Sequence, residues 1–308
     1  RVVINTELSK QITPRWLLQL VGEYSHRFFD LSFRTAENVY APVSDTPYYE
    51  TKDNTINEGP AITKHNGKYY LTFSANAYAS NNYLVAQAVS DNILGDYRKL
   101  TTQEGGILLT GAMFGTKEAS GTGHHSFVTI GKQTYIVYHR HNDVALMGSA
   151  RNHAIDEVKW VTNSAGLEVM YVNGPTSTVQ PKIEAFSDYK NIAGEATVTG
   201  SGDLTCLTDG LVSIKGNADF MAYVAKLTLE ADAEYTFTFA EPKTVRAVMV
   251  YNSGEATFTN ASVKYVCEEN GKEVTYTRHE DGKESKIPVL GEGNDYASAY
   301  MGDDMAET

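Results

Sequence analysis

Two stretches of the chain repeat one strand–turn–strand pattern, and this repeat constrains the fold more than any other feature. Residues 61–74 read AITKHNGKYYLTFS, and residues 127–139 read FVTIGKQTYIVYH. Each copy has an apolar pair, a threonine, a turn with Gly-Lys, a tyrosine and then alternating apolar residues. Such a hairpin cannot bury its own apolar face, so stacked copies are expected. The repeat therefore predicts radially arranged antiparallel sheets, as in a β-propeller, although two similar hairpins also arise by chance in all-β proteins.

Other strand-like runs occur along the whole chain. Short aromatic or β-branched segments bounded by Gly, Asn or Asp include YLVAQAVS from residue 83, TYIVYHRH from residue 134 and VRAVMVYN from residue 245. The best helical candidate is PRWLLQLVGEY from residue 14, which contains a glycine. These patterns predict an all-β chain.

The composition changes after residue 182. The segment FSDYKNIAGEATVTGSGD is small and polar and is typical of a connection. The sequence then alternates strictly, so that Tyr235, Phe237 and Phe239 would share one face of a strand. This alternation predicts a β-sandwich (jelly-roll) with one face of each sheet turned inward. We therefore expect two domains, residues 1–182 and residues 183–308.

Charge and cysteine content narrow the classes of partner. The 308 residues suffice for two domains, and the formal net charge of −12 comes without a Lys/Arg cluster. This balance argues against a nucleic-acid partner, and no apolar run is long enough for a membrane helix. Cys206 and Cys267 lack metal-ligand spacing, so two free thiols and a single disulfide both remain open.

The first candidate for chemistry is Glu58, which stands in the turn sequence NEGP before an aromatic strand. A carboxylate in such a turn is most often a solvated loop residue. The functional alternative is a general acid that is partly buried by Tyr69, Tyr70 and Phe73 and so keeps its proton.

The second candidate is GTGHHSF at residues 121–127. His124 and His125 on a strand would face opposite sides, so only one of them can line a cavity or ligate a metal. Two polar histidines at a strand start are the alternative. Arg140 and Arg151 could donate hydrogen bonds to sugar hydroxyls or to a carboxylate, and a surface ion pair is the alternative for each.

The sequence contains no serine-nucleophile elbow, Cys-His arrangement or zinc-ligand spacing. Carboxylate chemistry is therefore the chemistry that it predicts. Asp30, Asp45 and Asp53 precede Glu58 as candidate partners, and no pattern singles out one of them.

Taken together, the segments NEGP, NGKYYLTFSANAYASNNYLVAQAVSD, GTGHHSF, TYIVYHRH and LEVMYVNGPTSTVQP resemble glycoside hydrolase family 43 in their order and spacing. The resemblance covers about residues 1–182. It implies a five-bladed β-propeller that hydrolyses arabinofuranosides, xylosides and related linkages with inversion. It also implies Glu58 as the general acid, His124 beside a calcium ion at the propeller axis, and Arg151 and His125 as substrate-binding residues.

The C-terminal part resembles a galactose-binding-like sandwich in the segments CLTDGL and YTFTFAEPKTVRAVMVY. We expect this sandwich to be incomplete. Its expected role is that of an accessory domain to the propeller.

An inverting glycosidase also needs a general base about 6.5–9.5 Å from the acid. In the family, this aspartate and a second aspartate that tunes the acid both precede the acid. We therefore expect the base to lie before Arg1 and only about three of the five blades to lie in this chain. A second polypeptide or chain segment would supply the N-terminal blades, because an open propeller edge exposes unpaired strands. The alternatives are the ordered portion of a longer chain and a natural fragment without activity.

The implied substrate is an oligosaccharide or a side chain of a plant polysaccharide, and the implied location is secreted or periplasmic. A different class of function is also open. The chain could be a carbohydrate-binding protein that uses propeller aromatics and the sandwich without turnover.

Overall fold

The computed structural model of the chain describes residues 4–13, 16–24, 57–109, 119–141, 150–176, 180–187, 190–212, 227, 233–243, 245, 248–251, 262–269, 272–279 and 298–300. Asp30, Asp45 and Asp53 lie outside these residues. Among the described residues, no helix is long and apolar enough to cross a membrane.

Regular structure in the described part consists of β-strands and short 3₁₀ helices, which confirms the all-β prediction. The strands are β1 (Ile4–Thr13), β2 (Trp16–Tyr24), β3 (Asn57–His65), β4 (Lys68–Ala75), β5 (Leu84–Ser90), β6 (Arg98–Lys99), β7 (Ile107–Leu109), β8 (Gly123–Ile130), β9 (Gln133–His141), β10 (Arg151–Thr162), β11 (Glu168–Val172), β12 (Thr197–Thr199), β13 (Thr236–Thr238), β14 (Met249–Tyr251), β15 (Ser262–Glu269), β16 (Lys272–His279) and β17 (Ser298–Tyr300). The 3₁₀ helices are Glu184–Phe186, Ala193–Glu195 and Leu204–Leu207.

The two repeated segments form the predicted hairpins. In β3–β4, His65 pairs with Lys68 across a two-residue turn. Both turn residues, Asn66 and Gly67, have positive φ, the conformation that Asn-Gly turns favour. In β8–β9, Ile130 pairs with Gln133 across an equally short turn.

Each hairpin belongs to a larger antiparallel sheet. The first sheet has the order β3-β4-β5-β6, with β7 also paired to β5. The second has the order β11-β10-β9-β8. Each of these two sheets therefore consists of consecutive strands that are adjacent in space.

A shared apolar core joins the two sheets. Tyr70 and Val85 from the first sheet pack in one buried cluster with Ile136, Val158 and Met170 from the second. Burial of these side chains supplies the main driving force for the association of the two sheets.

A buried amide provides a polar link between the same two sheets. Gln87 of β5 is fully buried, donates from Nε2 to the carbonyl of Met170 in β11 at 2.9 Å and accepts from the Met170 N–H at 3.2 Å. The backbone groups on the outer edge of β11 are thereby satisfied at this position, as sheet edges require.

The hairpin β1–β2 corrects one prediction. Trp16–Tyr24, the best helical candidate, is a strand that pairs antiparallel with Ile4–Thr13. Leucine favours helix locally, but a pairing strand overrides a weak local propensity.

Beyond residue 182, the structure describes three two-stranded pairs, β12–β13, β14–β17 and β15–β16. Phe237 of β13 is 42% exposed. The sandwich and the boundary at residue 182 stay predictions. Cys206 is a free thiol, and the side chain of Cys267 lies outside the described part of the structure, so a disulfide between the two is not tested.

Chain segments on both sides of residue 182 are in contact. The Tyr171 hydroxyl donates to the carbonyl of Val212 at 2.7 Å. Asn173 exchanges side-chain hydrogen bonds with the backbone of Gly210 and Val212. The segment that follows the connection therefore packs against β11.

Candidate active site

Glu58 lies in an irregular part of the first sheet. It pairs with Ser74 of β4, and the register then shifts before Ala61. Gly59 within this bulge has φ of +58°, a conformation that favours glycine. Because β-bulges bend a strand and redirect its side chains, this one sets the direction of Glu58.

The Glu58 carboxylate is half-buried and accepts a hydrogen bond from the Tyr83 hydroxyl, with 2.7 Å between Tyr83 Oη and Glu58 Oε1. Tyr83 itself is fully buried. Burial raises the pKa of Tyr83, with the neighbouring Glu58 carboxylate adding to this effect. The phenol therefore stays protonated and remains a donor to Glu58.

The aromatic residue at Glu58 is thus Tyr83 rather than the predicted neighbours. Tyr70 instead donates to the backbone carbonyl of Glu168 and lies edge-on to Trp160. Phe73 packs in the apolar cluster on the other face of the first sheet.

The two adjacent histidines occupy a second bulge, in β8, where the register shifts between Gly123 and Ser126. His124 has φ of +50° and is exposed, whereas His125 is only 7% exposed. One histidine is therefore exposed and the other buried, and which of them faces a cavity stays a prediction. The His124 N–H donates to Ser74 Oγ at 2.7 Å, so His124 lies against the residue that pairs with Glu58.

The two bulges touch each other. A Cβ placed on Gly59 would lie 3.4 Å from His124 Cα. The exposed histidine and the acid are thereby brought together from β8 and β3.

His139 of β9 lies beside both Tyr83 and His124. Its ring stacks on Tyr83 with centroids 5.5 Å apart and 12° between the planes. It also lies 6.5 Å from the His124 ring. Burial, followed by the Arg151 charge, lowers the pKa of His139 to about 4, so this imidazole is neutral near pH 7.

Arg151, the first residue of β10, is exposed and approaches His139 with 3.2 Å between Arg151 Nη1 and His139 Nε2. A guanidinium has only donors, so Nε2 accepts in this contact. Arg140 lies one residue away from His139 on β9, where it pairs with Asn152. Side chains alternate along a strand, so Arg140 points to the opposite face.

The structure therefore brings together three of the predicted site residues, Glu58, His124 and Arg151. Tyr83 and His139 connect them, and the sequence reasoning missed both. His125 lies apart from this group: its Nε2 is 2.6 Å from Thr72 Oγ1, and its ring lies edge-on to Phe127. The substrate-binding roles of Arg151 and His125 stay predictions.

The described residues do not test the predicted calcium ion at His124. Calcium takes six to eight oxygen ligands, whereas the side chains beside His124 include the His139 imidazole, which in turn contacts the Arg151 guanidinium. In the described part of the chain, no group of three or more His, Cys, Asp or Glu residues could hold a metal. The calcium ion stays a prediction.

The packing of Tyr83 in the site requires a glycine at position 123. A Cβ on Gly123 would lie 2.0 Å from Cε1 of the buried Tyr83. We expect Gly123→Ala to displace Tyr83 from Glu58, to lower the free energy of unfolding by about 1–3 kcal/mol, and to reduce turnover. Urea unfolding and steady-state kinetics measure the two effects.

Gly95→Ala is the matched control for this prediction. A Cβ on Gly95 meets no atom within 4 Å, so we expect the free energy of unfolding to change by less than about 0.5 kcal/mol. A Gly123→Ala protein as stable and as active as Gly95→Ala would contradict the packing argument.

Comparison with known proteins bears on this same part of the chain. Residues 17–164, which include Glu58, Tyr83, the two bulges and Arg151, match one family model. The matched family is glycosyl hydrolases family 43. This match covers just under half of the chain's 308 residues.

Two curated relatives are each similar to a part of the chain. The Aspergillus niger protein named β-D-galactofuranosidase xynD is 34% identical over 130 residues, which is 41% of this chain and 34% of that protein. The Streptomyces avermitilis protein named extracellular exo-α-(1→5)-L-arabinofuranosidase is 34% identical over 112 residues, which is 34% of this chain and 22% of that protein. The chain thus spans about a third or less of the length of these relatives.

Among solved structures, a thermostable family 43 glycoside hydrolase is 37% identical, with a TM-score of 0.34. The alignment covers 41% of this chain and 38% of that one.

Proposed function

We propose that the chain carries the general-acid part of an inverting family 43 glycosidase, with Glu58 as the acid. One observation carries this proposal. Glu58 is half-buried, its carboxylate is held by a buried phenol, and an exposed histidine and an exposed arginine lie in the same group. The family match over residues 17–164 supports the same class of reaction.

The reaction requires two proton transfers. The protonated Glu58 carboxyl gives its proton to the glycosidic oxygen as the bond from that oxygen to the anomeric carbon breaks. A water molecule attacks the anomeric carbon from the opposite face and loses its proton to a second carboxylate, which inverts the configuration. Glu58 ends as a carboxylate, which the Tyr83 hydroxyl stabilises by its hydrogen bond.

We propose that the second carboxylate, together with the other blades of a five-bladed propeller, comes from outside these 308 residues. The two curated relatives are much longer than the segments that match this chain. A longer polypeptide and a second polypeptide would both meet this requirement.

We propose arabinofuranosides, xylosides or galactofuranosides of plant polysaccharides and oligosaccharides as the substrate class. Both curated relatives are named as furanosidases. A secreted location fits a polysaccharide substrate, and the Streptomyces relative is named as extracellular.

The stereochemistry of the first product tests this proposal. The protein, complete with the segment that supplies the second carboxylate, would be incubated with aryl α-L-arabinofuranoside, β-D-xyloside and β-D-galactofuranoside. Mass spectrometry of the sample would verify which polypeptides are present. We expect proton NMR at early times to show the anomer opposite to that of the substrate. Retention, or no hydrolysis of any of the three, would overturn the proposal.

A further inference from the structure

Tyr78 is an exposed aromatic residue beside the candidate active site. It lies between β4 and β5, and 58% of its surface is accessible. Most large apolar side chains of the flanking strands are buried, including Phe73 and Leu84. The turn that carries Tyr78 therefore presents an aromatic ring that a ligand can reach.

The backbone that carries Tyr78 is fixed from two sides. The carbonyl of Tyr78 lies 3.0 Å from Nε2 of His141, and His141 is only 2% exposed. Within the turn, Ser80 N–H donates to the carbonyl of Ala77 at 2.8 Å, and Asn76 Nδ2 donates to the carbonyl of Asn82 at 2.7 Å. The exposed ring is therefore presented by an ordered turn, which lowers the entropy cost of binding to it.

His141 is itself held by close packing. A Cβ on Gly121 would lie 2.3 Å from His141 Nε2, and Ser120 Oγ lies 3.4 Å from His141 Nδ1. Gly121 has φ of +58°. The contact from His141 to Tyr78 thus depends on the segment that leads into β8, which also carries His124.

Arg151 connects Tyr78 to the acid. The guanidinium Cζ lies 5.3 Å from the Tyr78 ring centroid, within the range of a cation–π contact. Arg151 also contacts His139, which stacks on Tyr83, and Tyr83 donates to Glu58. The series of contacts therefore runs from the exposed ring to the proposed proton donor.

We propose that Tyr78 and Arg151 form a sugar-binding shelf for one sugar of an oligosaccharide whose neighbouring sugar lies at Glu58. Arg151 lies over one face of the Tyr78 ring, and the accessible remainder can stack against the C–H face of a sugar. The exposed Arg151 donors can bind the hydroxyls of that sugar. Because Tyr78 and Arg151 are more exposed than Glu58, the shelf can receive a sugar that lies beyond the contacts of the acid.

This proposal rests on the proposed glycosidase function, and binding measurements test it separately from turnover. Isothermal titration would use the Glu58→Gln variant of the complete protein, which prevents hydrolysis, with α-1,5-arabinotriose and β-1,4-xylotriose as probes. We expect Tyr78→Ala to weaken binding of the better trisaccharide by about tenfold. Tyr78→Phe keeps the ring, so its dissociation constant should lie within about twofold of the parent.

Phe186→Ala is the matched control, since Phe186 is 76% exposed and lies in the 3₁₀ helix that follows residue 182. Its dissociation constant should equal that of the parent. Arabinose and xylose are the monosaccharide probes, and their binding should not change in Tyr78→Ala.

Four outcomes would overturn the shelf. They are no binding of either trisaccharide by the parent, an unchanged dissociation constant in Tyr78→Ala, an equal loss in Phe186→Ala, and an equal loss with the monosaccharides. Trisaccharide binding that depends on Tyr78, without hydrolysis by the Glu58-containing protein, would instead overturn the glycosidase function and leave the shelf standing.

Discussion

Replacing Glu58 by glutamine should lower turnover of an unactivated oligosaccharide by about 100- to 10,000-fold, the usual contribution of a general acid. The amide has almost the same shape as the carboxyl group and can still accept from the Tyr83 hydroxyl, so binding should change little. The amide cannot donate an acidic proton to the departing oxygen. Steady-state kinetics on the complete protein measures the loss as a decrease in kcat.

The dependence on the leaving group gives this prediction a second readout. A dinitrophenolate leaves without protonation, so Glu58→Gln should lose far less activity on a dinitrophenyl glycoside than on an oligosaccharide. Glu157→Gln is the matched control, because Glu157 is half-buried and bonded to Gln133 and Lys159 on the second sheet. Wild-type kcat in Glu58→Gln, or equal losses on both substrates, would show that Glu58 is not the acid.

Acid should destabilise the protein through His125. This side chain is 7% exposed, and burial, together with the neighbouring His124, lowers its pKa from 6.5 to about 4. Its Nδ1 is buried without a hydrogen-bond partner among the described residues, so a second ring proton is poorly accommodated.

The lowered pKa of His125 makes the folded protein less stable in acid. Between pH 6.5 and pH 4, the unfolded chain binds a proton at His125 that the folded chain does not bind. The contribution of His125 to stability is therefore complete above pH 6.5 and is lost as the pH falls through about 4. The loss is on the order of 2–3 kcal/mol between pH 7.5 and pH 4.5.

The variant His125→Gln isolates this effect. Glutamine can still hydrogen-bond to Thr72 but does not titrate. Between pH 7.5 and pH 4.5, the free energy of unfolding of the variant should therefore fall by about 2–3 kcal/mol less than that of wild type. Urea unfolding followed by tryptophan fluorescence at pH 7.5 and pH 4.5 measures it. Parallel pH dependences in wild type and variant would contradict the assignment. His139 titrates in the same window and remains in both proteins, so it cancels in the comparison.

The strands and two hairpins were predictable because their signals are local. The Asn66-Gly67 turn and the alternating residues on both sides of it specify one register. Glu58 and His124 were also within reach of the sequence, since each lies in a short motif, whereas Arg151 was one of two candidate arginines. Trp16–Tyr24 was predicted incorrectly, because a leucine-rich run does not reveal its pairing strand.

Tyr83 and His139 could not be assigned from sequence because their roles depend on contacts between distant strands. Tyr83, the residue before β5, donates to Glu58, and Gly123 provides the space for its ring. One signal was available: Gly123 pairs with His139 in the predicted β8–β9 hairpin, so counting that register would have placed His139 beside the histidine pair. No sequence pattern of this kind indicates the bulge at Gly59.

Gln87 has a consequence for how the protein can move. Because one side chain binds both the N–H and the carbonyl of Met170, β11 cannot slide along β5 without breaking both bonds at once. Glu58 and Arg151 lie on the two sheets that this amide links, so both hydrogen bonds oppose a shear that would change their separation. We expect the adjustments that accompany substrate entry and exit to occur in turns beside the site, such as the one that carries Tyr78.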